Sequence, residues 1–516
     1  MNEMKAPDVF EERDKYFGNL FCRINQLYKE YKIPLLTTWI VGFLTHGFMF
    51  TNKLPNHDDI RWLFGKGATI SSGRWGLELL RLFLADYSMP WLYGVLSILI
   101  LSIAVCLTIQ IFQIRNPVFQ GLLGGLVITF PSLTGTFTYM FTAAPYSLAF
   151  LMAVGAVALY KKRTVTGCFS AAVLLILSLS IYQSYIALTA SFFVILLFQE
   201  LLERKTEVRV ILCRGIRMVI FLLVILVLYY ASIRIAMVLT NTEYNDYASN
   251  NFKTESINLF GRVYVAYVNF MYFFTSGNWG LINTVPSLVM HLTAILVTGM
   301  TVLYHVRKLK VSQIVLLIAL VAAFVLSVNC MYLVTSEEAI HTLVLYSFVA
   351  VYVLLTVALE AIPLRKFLVA NIVTIALAIV IINNLIVSNQ AYLQMHFAYE
   401  RATSFFSGII TQIQMTPGYD ENSVVALVGE YDSEEVYFPH TERITGVSEY
   451  LLNINSREEF LRYYFGFEAP FATAEDMEKI VNTEEFQKMP LYPYYGSIQK
   501  IDNYVIVKLG TPEIQD

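Results

Sequence analysis

Up to about residue 388 the chain alternates runs of some twenty apolar residues with short polar loops. A helix rises about 1.5 Å per residue, so roughly 20 such residues cross the hydrocarbon layer of a bilayer. The pattern predicts eleven spanning helices, at about 33–51, 90–113, 117–134, 144–160, 165–182, 184–201, 217–240, 284–304, 312–334, 340–361 and 367–388. The third and fourth are short and interrupted by Gly and Pro. The Tyr-rich stretch 258–275 reads as a twelfth span or as a helix lying at the interface. Ahead of the spans, Phe17, Leu20, Phe21, Ile24, Leu27 and Tyr28 recur at helical spacing, so residues 1–32 read as an amphipathic surface helix.

Beyond residue 389 the pattern changes. Glu400–Met415 continues helically from the last span, and Val424–Gly429 reads as a buried strand. Ser456–Phe465 and Ala474–Met489 read as helices, and Ser497–Ile501 with Tyr504–Leu509 as a hairpin around Asp502-Asn503. The expected fold class is therefore an all-α polytopic membrane bundle, 33–388, with a small α+β domain, 389–516, on the outer side.

Composition supports the membrane reading: 56% of residues are hydrophobic and 15% charged, with mean hydropathy +0.57. A soluble domain so composed would lack polar surface. The first apolar run follows a polar segment and is of full spanning length, which reads as an uncleaved start. A net charge of −3 and the lack of a basic arm argue against nucleic acid as a partner. The five cysteines offer no disulfide framework in the outward segments, and no metal-ligand spacing is present, so neither a metal nor a cofactor is expected.

Lys and Arg sort between alternate loops. The N-terminal segment, Arg115, Lys161–Arg163, the stretch Arg204–Arg217, Arg307–Lys310 and Arg365-Lys366 fall on one side, which places the N-terminus in the cytoplasm. The loop 52–89 breaks the rule, with Lys53, Arg61, Lys66, Arg74 and Arg81 on the outer side. Cations placed against the bias imply a task for them.

That loop predicts two short interfacial helices, about 59–64 and 73–83, punctuated by Gly65, Gly67 and Gly73, with Trp62, Trp75 and Tyr87 at headgroup depth. Asp58 and Asp59 stand at the start of the first. Spacing alone accommodates Asp58 as an N-cap and Asp59 as an ordinary first-turn acid. The functional reading notes that both adjoin His57 between apolar spans, where desolvation raises a carboxyl toward the range of a general base. Arg61, Arg74 and Arg81 are cations suited to a phosphate. A proton acceptor beside a phosphate-holding cation is what glycosyl transfer from a sugar phosphate requires. Tyr182-Gln183 makes a further outer turn that could line a cavity or merely satisfy helix ends. Glu337, Glu338 and His341 form either a solvated turn or a second wall, and Asn329, Asn383 and Asn384 suit interhelical hydrogen bonds.

Several segments resemble the bacterial type II membrane glucosyltransferases that modify O-antigen. They are Asn56-His-Asp-Asp-Ile-Arg61, Ser72-Gly-Arg-Trp75, Ile181-Tyr-Gln-Ser184 and the closing stretch Tyr492–Leu509. The resemblance implies a C-type glycosyltransferase fold with a catalytic carboxylate in the first outer loop. It implies a polyprenyl-phosphate sugar donor, usually glucose, a surface glycan as acceptor, and inversion at the anomeric carbon. A donor synthase and a flippase would act in the same pathway, at the bacterial cytoplasmic membrane. Carried over by motif, Asp58 and Asp59 match the acidic pair, and Arg74 and Trp75 the Gly-Arg-Trp element. The residues themselves are read with His57, Trp75, Tyr182 and Gln183 as substrate-binding and Arg61 beside Arg74 at the donor phosphate. The motif does not decide which aspartate is the base. The rival readings are a lipid-linked-sugar flippase or transporter, a glycan polymerase, and a scaffold acting through its tail domain.

Overall fold

The computed structural model describes residues 9–63, 67, 69–84, 87–204, 206–244, 258–275, 284–307, 309–337, 339–361, 367–431, 438–447 and 456–511. Lys5, Gly65, Lys66, Lys308, Glu338, Arg365 and Lys366, singled out from sequence, lie outside that set.

The membrane part is a helical bundle. Helices α1 (Val9–Thr51), α4 (Pro90–Phe112), α5 (Pro117–Thr129), α6 (Pro131–Thr138), α7 (Met140–Tyr160), α8 (Val165–Ile181), α9 (Tyr185–Glu203) and α10 (Val208–Thr240) form its first half. Two short helices, α2 (His57–Arg61) and α3 (Trp75–Leu80), occupy the first loop. The second half comprises Leu259–Thr275, Val285–Val306, Val311–Val328, Val349–Ala361 and the 49-residue helix Phe367–Met415. Among the described residues ten helices are long and apolar enough to cross a membrane, so the protein is a multi-pass membrane protein. The expected fifth span, α8, has 17 residues and falls short of that length, and Leu259–Thr275 is not one of the ten.

Sequence and structure part company at identifiable places. The described part of the expected N-terminal helix, from Val9, is continuous with the first span: α1 runs unbroken through Pro34, because a single proline removes one backbone bond that packed neighbours tolerate in a membrane helix. The third span is broken at Phe130, whose extended backbone precedes Pro131; proline excludes the helical conformation from the residue before it. Close helix approach is secured by Gly94, where a side chain would strike the Phe50 ring. Asn329 donates to the Ala266 carbonyl at 2.9 Å and Asn383 accepts from the Thr284 hydroxyl at 2.7 Å, both between helices.

The tail carries a three-stranded sheet in the order β1-β3-β2: β1 (Val424–Val428), β2 (Ile498–Ile501) and β3 (Tyr504–Lys508). The hairpin turns at Asp502-Asn503 as the sequence predicts, with Ile501 opposite Tyr504, and β1 lies parallel to β3. The helix expected over 474–489 is two, Ala474–Val481 and Glu484–Lys488. Asn482 ends the first and Thr483 caps the second, its hydroxyl accepting from the Phe486 amide.

The tail is not appended to the bundle. Ile444 and Val447 are buried in the same apolar core as the spans, and Ile60 of α2 is buried in the tail's core with Phe406 and Phe460. Each part thus inserts a segment into the other.

Candidate active site

The described residues of the first loop are held from both sides. Asn56, not Asp58, caps α2: its side-chain oxygen accepts the Asp59 amide at 2.9 Å. Asp58 and Asp59 therefore both stand in the first turn, about 100° apart around the axis, and face different surroundings. Asp58 borders a cavity, with the imidazole Nε2 of His57 at 3.5 Å from its carboxylate. Asp59 is 3% exposed. The Ser88 hydroxyl, from the far end of the loop, donates to one of its oxygens. Its other oxygen and the buried Lys53 ammonium have no hydrogen-bond partner among the described residues. Burial pushes the Asp59 carboxyl above the usual range, with the Lys53 charge pulling against it. Burial likewise pushes the Lys53 ammonium down. Desolvating either member of a pair costs free energy that only a close, well-bonded partner recovers.

The second half of the loop is held by the bundle. Gln183 Nε2 donates to the Ser72 carbonyl and the Tyr229 hydroxyl to the Gly73 carbonyl, both at 3.0 Å. Gly73 sits at φ 79°, and a β-carbon there would press on Gln183, Ile233 and Tyr229 at 3.3–3.4 Å; only glycine adopts that backbone without strain. Trp75 anchors the start of α3, its indole N–H donating to Ser232 at 3.0 Å. These contacts deliver Arg74 onto an aromatic shelf. Its guanidinium donates to the Tyr146 hydroxyl at 3.0 Å. It also lies 5.5 Å from the centre of the Tyr182 ring, which stacks on Tyr146 at 4.3 Å. Arg81, read from sequence as a third phosphate cation, is instead paired with Glu78 at 2.9 Å.

Between these groups lies a cavity of 510 Å³. His57, Asp58, Arg61, Arg74 and Tyr182 line one side, and His341, Leu343 and Thr445 contribute to the rest of its wall. Of the residues singled out by sequence, Asp59, Trp75 and Gln183 are not among the described lining residues; they hold the loop from behind. Tyr146 and Thr445 were missed. Nothing in the sequence marks Tyr146 among many span tyrosines. Thr445 arrives from the tail: the Thr445 carbonyl accepts from Thr138 at 3.0 Å, the Arg443 carbonyl accepts from Thr342, and Thr441 donates to Gln394 at 2.6 Å.

Such an arrangement, a carboxylate and a guanidinium lying on an aromatic ring around one cavity, suits transfer from a phosphate leaving group. Comparison with curated proteins and with solved structures gave no significant match. The family model described as glucosyl transferase GtrII matches residues 47–354. That stretch is more than half of the chain and holds the first loop, the Tyr182-Gln183 turn and His341. The chain belongs to the glucosyl transferase GtrII family.

Proposed function

We propose a specific reaction for this member of a glucosyltransferase family: it moves glucose from a polyprenyl-phosphate donor to a cell-surface glycan, on the outer face of the bacterial cytoplasmic membrane. The observation that carries this reading is the pairing of Asp58 with Arg74 around one cavity. Asp58 takes the proton of an acceptor hydroxyl. The oxygen attacks the anomeric carbon of the sugar and forms the new glycosidic bond. The bond from that carbon to the phosphate oxygen breaks, and its electron pair leaves with the polyprenyl phosphate, whose charge Arg74 and Arg61 stabilise. Attack opposite the leaving group inverts the anomeric configuration. Support for Asp58 over Asp59 as the base is exposure: the one borders the cavity, the other is buried against Ser88 and Lys53.

The positioned base contributes about 10²–10⁴-fold; oriented binding and charge stabilisation at the phosphate contribute the remainder. Outward orientation rests on the loops at the opposite end of the bundle, which carry Arg115, Lys161–Arg163, Arg204 and Arg307, as cytoplasmic loops do. A donor synthase and a flippase would supply the lipid-linked sugar on that side.

The test is reconstitution in vesicles with polyprenyl-phosphate glucose labelled in the sugar and a panel of surface glycans. The proposal expects label on glycan, with one lipid phosphate released per sugar moved. Donor crossing the bilayer without any transfer would instead establish the flippase reading.

A further inference from the structure

The cavity does not end at its polar wall. A narrower pocket of 50 Å³ shares Trp62, Gly67, Thr69, Leu77, Phe141 and Thr142 with it, and continues between α3 and the start of α7. Beyond the shared residues its wall is Leu80, Arg81, Leu84 and Pro145. That cation is neutralised by Glu78, which also accepts from Thr69. The lining residues Leu77, Leu80, Leu84 and Phe141 are half-buried, whereas Leu79, Leu82 and Phe83 of the same turn are exposed. One apolar side of the segment thus faces the pocket, and the other faces outward as a membrane-interface helix does.

We infer that this apolar arm, between Leu77–Leu84 and Phe141–Pro145, receives the first isoprene unit of the donor lipid and lets the remaining chain out into the bilayer. The inference rests on the proposed lipid-phosphate donor and names where its tail goes. A phosphate bound beside Arg74 is bonded to a hydrocarbon chain, and each methylene kept out of water is worth about 0.8 kcal/mol. The chain must therefore leave the polar cavity through an apolar wall, and the arm adjoins it. A second apolar pocket of 340 Å³, lined by Ile33, Thr37, Val118, Gly121, Leu122 and Ile381, shares no lining residue with the cavity. It serves as the internal comparison.

Two measurements on the full-length protein in detergent or vesicles test the inference. In the first, polyprenyl-phosphate glucose with a photoactivatable group on its initial isoprene units is crosslinked and the labelled peptides are sequenced. Label on residues 77–84 and 140–145 is expected; label on 117–122, or spread evenly over the spans, overturns the arm. In the second, Leu84→Trp and Leu80→Trp narrow the arm, and kcat/KM is compared for long-chain and water-soluble short-chain donors. The long-to-short ratio should fall about tenfold or more, the effect of uncovering roughly two methylenes. An unchanged ratio in both variants overturns the inference. The two readings fail separately. Label in the arm without any transfer removes the transferase reading and leaves the lipid site standing. Transfer with label elsewhere removes the arm and leaves the transferase.

Discussion

A single residue step around α2 separates two adjacent aspartates, one bordering the cavity and the other buried. Sequence legibly flagged the pair, but the pattern Asn56-His-Asp-Asp is compatible with a cap at any of several positions, and burial is a property of the packed tail rather than of the motif. Asp59 makes a sharp prediction. Its carboxyl is raised by burial, so the folded state binds its proton more tightly than the unfolded chain. The stability linked to that proton is fully present below the unfolded pKa and is lost as pH climbs through the raised folded value. Asp59→Asn, which cannot ionise, should therefore gain stability relative to the wild type as pH rises through that window, read by thermal unfolding in detergent at stepped pH. A constant difference across the range would remove the buried acid. Arg74 tests the leaving-group side. Arg74→Lys keeps the charge but loses the planar group lying against Tyr182 and Tyr146. Hydrogen bonds to charged groups are worth about 1.5–3 kcal/mol, so kcat/KM for the donor should drop about ten- to a hundredfold, measured by label transfer.

Periodicity named the elements more reliably than their ends. Ten of the eleven expected spans, the short helices of the first loop and the hairpin at Asp502-Asn503 were legible, because apolar runs and turn residues act locally. The limits of α2 and α3 were not: they are set by Asn56, one of several possible local caps, and by the left-handed Gly73, which is held by Tyr229 far along the chain. Asn56→Ala should cost about 1 kcal/mol by removing the cap, and should reduce transfer more than that figure alone suggests, since Asp58 loses its fixed direction. Gly73→Ala should cost about 1–2 kcal/mol for the left-handed backbone and displace Arg74 by crowding Gln183 and Tyr229. Unfolding midpoints and transfer rates measured together check both. Normal activity in either variant would show that the loop does not depend on its anchors.

The whole molecule is two interlocked parts, and here the sequence was least informative. It marked a tail domain by composition, but gave no sign that Phe438–Val447 threads into the bundle or that Ile60 is buried in the tail. Such long-range insertions leave no periodic trace. They predict that Ile60→Ala, which empties a site in the tail core at a cost of about 2–5 kcal/mol, loosens the loop and exposes it to protease while the spans stay inserted. A loop as resistant as the wild type's would contradict the interlock. The account as a whole turns on the carboxylate of Asp58. Its most direct test is donor binding and single-turnover transfer measured together for Asp58→Asn in reconstituted vesicles. The account predicts donor bound with near-normal affinity and a transfer rate down by about 10²–10⁴-fold; transfer at the wild-type rate from the same bound donor would contradict it.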